Sequence, residues 1–433
     1  MKAKGFKPYY GITFLIGLGF FTMGLMDPLY DTYIPVFLGR FIQSKGIIGS
    51  IMTLDNVFAI FLIPIVAAIS DRTVTPIGRR MPYIIVTLPL TAVAFGLIPI
   101  SAELGLVMLI LLIFLLNVFK QAARGPVVAL MPDIIPGDYR SEANGVINTM
   151  GGIAAIVGTV GLARLMDVSV PIPGFGMMKD VLPFPLAGVL VVLATVLLFF
   201  FVKEKRGTPE TESEERVPIG RSLKLILAQE DKSALLILIS LFIWFLGYQG
   251  VLPFIGLYSI EYLETSTGTA ALAAGMVAIA YAVFAIPSGI LAHKIGRRTT
   301  IRICLISLTV ILFLLFLHDP ITRSMGLTPG LRLYSFWGLM FLFGMFWGSV
   351  VTNSFPMLWQ MASYADMGIY TGLYYFFSQA SSIAAPPVTG GIIDIAGFRM
   401  IFLFASLCMA GAFVLMSFVT GGEAKHAQTP EAT

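Results

Sequence analysis

Stretches of about 20 mainly apolar residues recur along almost the whole chain, which is the length a helix needs to cross about 30 Å of hydrocarbon. Twelve windows can be drawn, at residues 10–37, 47–69, 83–101, 105–129, 143–165, 183–202, 233–258, 269–292, 300–317, 333–358, 370–393 and 399–420. A backbone in lipid must satisfy its own hydrogen bonds, so such windows become helices. Of the 433 residues, 57% are hydrophobic and 12% charged, whereas roughly a quarter are charged in soluble domains. A water-soluble globule is excluded, and the expected fold is an all-α membrane protein of twelve transmembrane helices.

The first window is too long for a signal-peptide core and no small-residue cleavage site follows it, so it is expected to stay as a helix. Cys304 and Cys408 both lie inside apolar windows and offer no disulfide framework. With the amino terminus inside, most of the 28 Lys and Arg fall in cytoplasmic connections, the asymmetry that fixes orientation. The expectation is a multi-pass protein of a bacterial or archaeal cytoplasmic (inner) membrane with both termini cytoplasmic. The net charge of +4 is dispersed among the loops, so the expected partners are a small solute and the bilayer, not nucleic acid. A monomer is expected.

Residues 203–232 form the longest polar interruption, with apolar content too low for a packed core. The chain thus divides into a six-helix bundle at 1–202, a cytoplasmic linker at 203–232, a second six-helix bundle at 233–420 and a tail at 421–433. The segment ISDRTVTPIGRR follows the second window and AHKIGRR the eighth, while Pro126 precedes Asn144-Gly145 as Pro356 precedes Thr371-Gly372. These correspondences point to a duplicated plan.

Asp71-Arg72 through Gly78-Arg79-Arg80 resembles, in stretched form, the loop signature of the major facilitator superfamily. That form, SDRTVTPIGRRMPYI, is similar to the version in sucrose transporters and the glycoside-pentoside-hexuronide cation symporters. RGPVVALMPDIIPGDYRSEAN is a second such likeness, carried by Gly125-Pro126, Ala129-Leu130, Asp133, Arg140 and Asn144. The resemblance implies the major facilitator fold and a cytoplasmic latch, here Asp71, Gly78, Arg79, Arg80, Asp133 and Arg140, with Gly296, Arg297 and Arg298 in the second half. His293 stands where the second half would carry Asp, so the latch is expected to be asymmetric. The plainer reading is that these arginines only set topology.

An ionisable side chain in hydrocarbon costs at least ~2.5 to 3.5 kcal/mol on insertion scales, so it must face a cavity or a partner. Five stand out. Asp27 and Asp31 are four apart and share one face of the first helix; Asp55 lies in the second window; Lys120 and Arg124 repeat the four-residue spacing in the fourth. One reading makes them a coupling site, in which a carboxylate exchanges a proton or binds a cation. The other makes them a buried ion-pair network. Melibiose-type permeases present carboxylates in the second and fourth helices, whereas Arg124 precedes Gly125-Pro126 here and Asp55 falls about one turn early. The coupling ion is a proton or sodium, with the proton favoured, and no other cofactor and no metal site is expected.

The second half holds all four tryptophans and no comparable charge at its helix centres. Trp244, Tyr248, Gln249, Tyr281, Trp347, Asn353, Tyr374 and Gln379, joined by Gln121 and Asn148 of the first half, are the candidates for binding a hydroxylated solute through aromatic faces and amides. Trp337 and Trp359, near span ends, read as interfacial anchors. No nucleophile and base, clustered metal ligands or phosphate loop is found, which argues against an enzyme or an ATP-driven pump. The expected function is secondary active transport of a sugar, glycoside or similar solute by alternating access. A carrier of organic anions or acidic sugars, or a nontransporting receptor, are the alternatives.

Overall fold

The computed structural model describes residues 7–136, 139–204, 219–229, 231–361 and 367–421. Residues 205–218 and 230 of the linker and all but the first residue of the tail lie outside the described residues. The first half contains α1 (Tyr10–Gly39), α2 (Lys45–Met52), α3 (Leu54–Asp71), α4 (Met81–Leu104), α5 (Leu106–Ile134), α6 (Arg140–Ile156) and α7 (Pro183–Phe201). After α8 (Ile219–Ala228), the second half contains α9 (Ser233–Tyr262), α10 (Thr267–Ala270), α11 (Leu272–Ile295), α12 (Arg297–Ser324), α13 (Pro329–Trp359), α14 (Met367–Ala396) and α15 (Met400–Ser417).

Among the described residues, eleven helical stretches are long and apolar enough to cross a membrane. The helix α14 equals them in length, at 30 residues, and is more polar because it carries Ser378, Gln379, Ser381, Ser382 and Thr389. The second span is broken at Thr53, between α2 and α3. The eighth is broken at the equivalent place, Ala271, between α10 and α11. The fifth passes from α6 through a π segment, Val157–Gly161, into a 3₁₀ turn, Leu162–Asp167.

Helices approach closely where side chains are small, as membrane helix packing requires. A Cβ on Gly24 of α1 would collide with the Gly151 backbone of α6, and one on Gly344 of α13 would lie 2.5 Å from the Val277 carbonyl of α11. Sequence patterning gave no sign of two small features. Strands β1 (Val170–Ile172) and β2 (Gly176–Met178) form an antiparallel hairpin in the connection before α7. Within the stretch read as too polar to pack, α8 buries Ile226 and its neighbour Gln229 bonds to Tyr370 of α14, 3.0 Å.

The contacts that join the halves gather at one end of the bundle. There Thr32 of α1 abuts Gly256 of α9, the Tyr33 hydroxyl donates to the Thr267 carbonyl at 3.0 Å, and Lys45 pairs with Glu261 at 3.3 Å. Toward the other end Asn144, Asn148 and Thr149 are exposed along α6, and Arg124 along α5. Polar side chains exposed on spanning helices need water, so these faces line an aqueous cleft. One end of the bundle is closed and the other open.

Candidate functional site

Three helices of the first half bring the intramembrane charges together. Lys120 of α5 is buried, and its ammonium lies 3.0 Å from Asp27 Oδ1 on α1 and 3.5 Å from Asp55 Oδ2 on α3. It also sits 4.8 Å over the Tyr30 ring, whose hydroxyl accepts from Asn117 Nδ2 at 2.9 Å. The break at Thr53 explains the early position of Asp55. It places this carboxylate in the first turn of α3, where the helix N-terminus favours negative charge.

The five groups do not pair off evenly. Among the described residues Lys120 is shared by two acids, while neither Asp31 nor Arg124 has an ion-pair partner. Asp31 lies within electrostatic reach of Asp27, Asp55 and Lys120, and also of Tyr248 in the opposite half. Arg124 is exposed and acts on Asp55 from a distance. Asn117 and Tyr30 belong to this cluster but were absent from the sequence-based set. Spacing alone marks them, since Tyr30 stands between the two α1 acids and Asn117 lies three residues before Lys120.

In the second half Tyr248 of α9 stacks on Trp347 of α13, with ring centroids 3.9 Å apart and 7° between planes. Phe343 extends the stack and Phe245 meets Trp347 edge-on. Gln249 donates to Ser382 at 3.0 Å, Asn353 to Ser288 at 2.9 Å, and the Tyr374 and Ser354 hydroxyls share a bond of 3.0 Å. Tyr281 packs on Gly348, and Gln379 is part-buried on α14. Trp244 and Gln121 are wholly enclosed, at 0% exposure, and Asn353 nearly so; Asn148 is exposed on α6. The sequence-based set therefore splits into a part-open group around Tyr248 and an enclosed group.

At the open end the arginine loop is bound within its own half. Arg79 and Arg80 both donate to Asp133 at the end of α5, at 3.0 and 2.9 Å through their Nε atoms. Arg80 also bonds Asp71 and Ser70. Hydrogen bonding to Asp133 raises the Arg79 pKa, against the opposing effect of burial. Glu204, which sequence reading did not single out, accepts from the backbone N–H of Arg80 at 2.9 Å, at the start of α4. Gly78 has φ +110°, and a Cβ there would collide with the Glu204 carboxylate. Arg140 donates to the Pro132 and Ile135 carbonyls.

The second-half loop is built differently. Gly296, with φ +93°, leads into Arg297 at the start of α12, and Arg298 donates to the Val419 and Thr420 carbonyls just past α15. Arg302 adds bonds to the Met416, Ser417 and Val419 carbonyls. The cation favours that helix end.

A two-half helical bundle, closed at one end and lined by ionisable groups on one side and stacked aromatics on the other, is the frame of a membrane transporter. The chain belongs to the Major Facilitator Superfamily, whose family model matches residues 12–384 and again 261–433. It is a transporter and not an enzyme. Human solute carrier family 45 member 4 is 22% identical over 178 residues, 38% of this chain and 23% of that protein's length. The match thus spans about a quarter of that relative.

Solved structures share the fold across nearly the whole chain. The nucleoside transporter NupG superposes with a TM-score of 0.71 at 13% identity, covering 93% of this chain and 98% of that one. A bacterial homologue of the human lysosomal transporter Spinster gives 0.69 at 14% identity, covering 96% and 97%. A bacterial homologue of the iron transporter ferroportin gives 0.69 at 13% identity, covering 94% and 98%.

Proposed function

We propose that this transporter moves a small hydroxylated solute, a sugar or glycoside, by alternating access coupled to protons. The observation that carries the reading is the uneven sharing of charge: Lys120 holds Asp27 and Asp55, while Asp31 has no ion pair among the described residues and lies within electrostatic reach of Tyr248 in the opposite half. A carboxylate in that position can take or give up a proton and feel a solute held on the opposite half. Lys120 is itself a tethered cation between two acids, filling the place a sodium ion would need. The loop likenesses at 70–84 and 124–144 support the sugar-transporter reading, and the basic loops support a cytoplasmic-membrane location with the closed end outside.

Uptake by purified protein in proteoliposomes tests it, with a panel of labelled sugars under an imposed pH gradient or an imposed sodium gradient. Accumulation should follow the pH gradient. Uptake indifferent to both gradients, and unchanged when Asp27, Asp31 and Asp55 are neutralised together, would sink the coupling claim.

One observation favours a second reading. Arg124 is exposed and has no ion-pair partner among the described residues, as suits an organic anion or acidic sugar. Competition between a neutral sugar and its uronic acid separates the two.

A further inference from the structure

The two spans that begin at the closed end begin alike. The second opens on Ser44-Lys45-Gly46 and the eighth on Ser266-Thr267-Gly268. In each the serine is the N-cap, its hydroxyl accepting from the N–H three residues on, Ile47 or Thr269. Each helix start also meets a carboxylate from the other half. Asp394, near the end of α14, accepts from the Ser44 hydroxyl at 2.6 Å and from the Lys45 and Gly46 N–H groups at 2.7 and 3.0 Å. Asp167, at the end of the fifth span, accepts from the Ser266 hydroxyl at 2.7 Å and the Gly268 N–H at 3.1 Å.

The fifth and eleventh spans, like the second and eighth, hold equivalent places in the duplicated halves. Each half therefore supplies one acid and one helix start. The glycines permit the approach: a Cβ on Gly268 would lie 2.5 Å from Asp167 Oδ2, and one on Gly46 3.3 Å from Asp394 Oδ2. Unpaired N–H groups and the dipole make a helix start a good seat for a carboxylate. Here the seat and the carboxylate stay together only while the two halves meet at this end. The Arg40–Glu103 pair at the same end lies wholly within the first half, so opening need not break it, whereas Asp180, the other partner of Arg40, also hydrogen-bonds Thr267 of the second half.

We propose that Asp167 and Asp394 form a paired helix-cap lock, one acid from each half on a helix start of the other, that holds the closed end shut and sets its opening equilibrium. The neighbouring Lys45–Glu261 pair, with Glu261 44% exposed, is secondary to it, because exposed pairs contribute little.

The test is a pulsed electron-resonance distance measurement on the full chain in lipid nanodiscs, with Cys304 and Cys408 replaced by Ala and labels placed at Leu104→Cys and Met325→Cys. These positions are exposed at the closed end of opposite halves. Losing one cap is worth about a fivefold change in an equilibrium, and distant sites add. D167A/D394A should raise the open-to-closed ratio about 25-fold, S44A/S266A should raise it less, and Glu103→Gln should leave it unchanged. Should D167A/D394A fail to fold, S44A/S266A carries the test. An unshifted distribution in the folded lock variants, or an equal shift in Glu103→Gln, overturns the proposal.

Discussion

In the first half the polar groups between helices are charged and answer one another, as Lys120 does for Asp27 and Asp55. In the second the groups facing the first half are neutral, namely the Tyr248–Trp347 stack, the Gln249–Ser382 bond and the Tyr374–Ser354 bond, and its buried ion pair, Asp319 with Arg332, lies between α12 and α13 near their closed-end termini. The open-end loops repeat the contrast, with arginines on carboxylates in one half and on helix-end carbonyls in the other. A duplicated frame has thus been given two chemistries. Charges respond to protons, while aromatic faces and amides suit a solute whose own faces are apolar and whose edges carry hydroxyls.

The strongest way to break this comparison is to remove the cation that two acids share. Lys120→Ala leaves the part-buried carboxylates of Asp27 and Asp55 without their shared cation and should cost about 3 kcal/mol of stability, the low end for a broken buried pair, and abolish transport, read by thermal unfolding and by uptake. Lys120→Arg should keep the fold better than Lys120→Ala does. Next in size, Trp347→Ala removes the face on which Tyr248 stacks and should raise the solute KM about tenfold. Its pH dependence of uptake should stay like that of the native protein, because the charges lie in the other half.

The loops give a smaller contrast. Asp133→Asn weakens bonds to two arginines, one of them buried, and should lower stability by about 2 kcal/mol. Arg298→Gln, which leaves the terminal carbonyls near water, should cost less in the same thermal-unfolding assay. The smallest effect concerns Asp180 in the connection before α7, whose carboxyl is raised by burial while Arg40 opposes the shift. A raised folded pKa favours the folded state at low pH, and this contribution is lost as pH rises from about 3.9 through the folded value. Asp180→Asn should therefore flatten the pH dependence of the unfolding temperature over that range.

The helices were legible because hydrocarbon demands length and apolarity, and both are written in the windows. Their breaks were not, since Thr53 and Ala271 look like ordinary residues of an apolar run. For that reason Asp55 read as misplaced, although it lies in the first turn of α3. Helical spacing announced that Asp27 and Asp31 share a face, but not that Lys120 serves Asp27 and Asp55 and leaves Asp31. That choice depends on how α1, α3 and α5 pack. Trp244 and Gln121 were drawn into the candidate site by residue type alone, and burial at 0% exposure separates them from Tyr248. Glu204 was hidden at the edge of a charged linker, where one acid among many gives no signal.

The division between the halves is tested most directly at Asp31, by comparing two modes of transport in the same proteoliposomes. Asp31→Asn should retain solute counterflow, which needs binding and alternation only, and lose accumulation against a gradient driven by pH. Accumulation at the native level in Asp31→Asn would contradict the assignment of coupling to the first half.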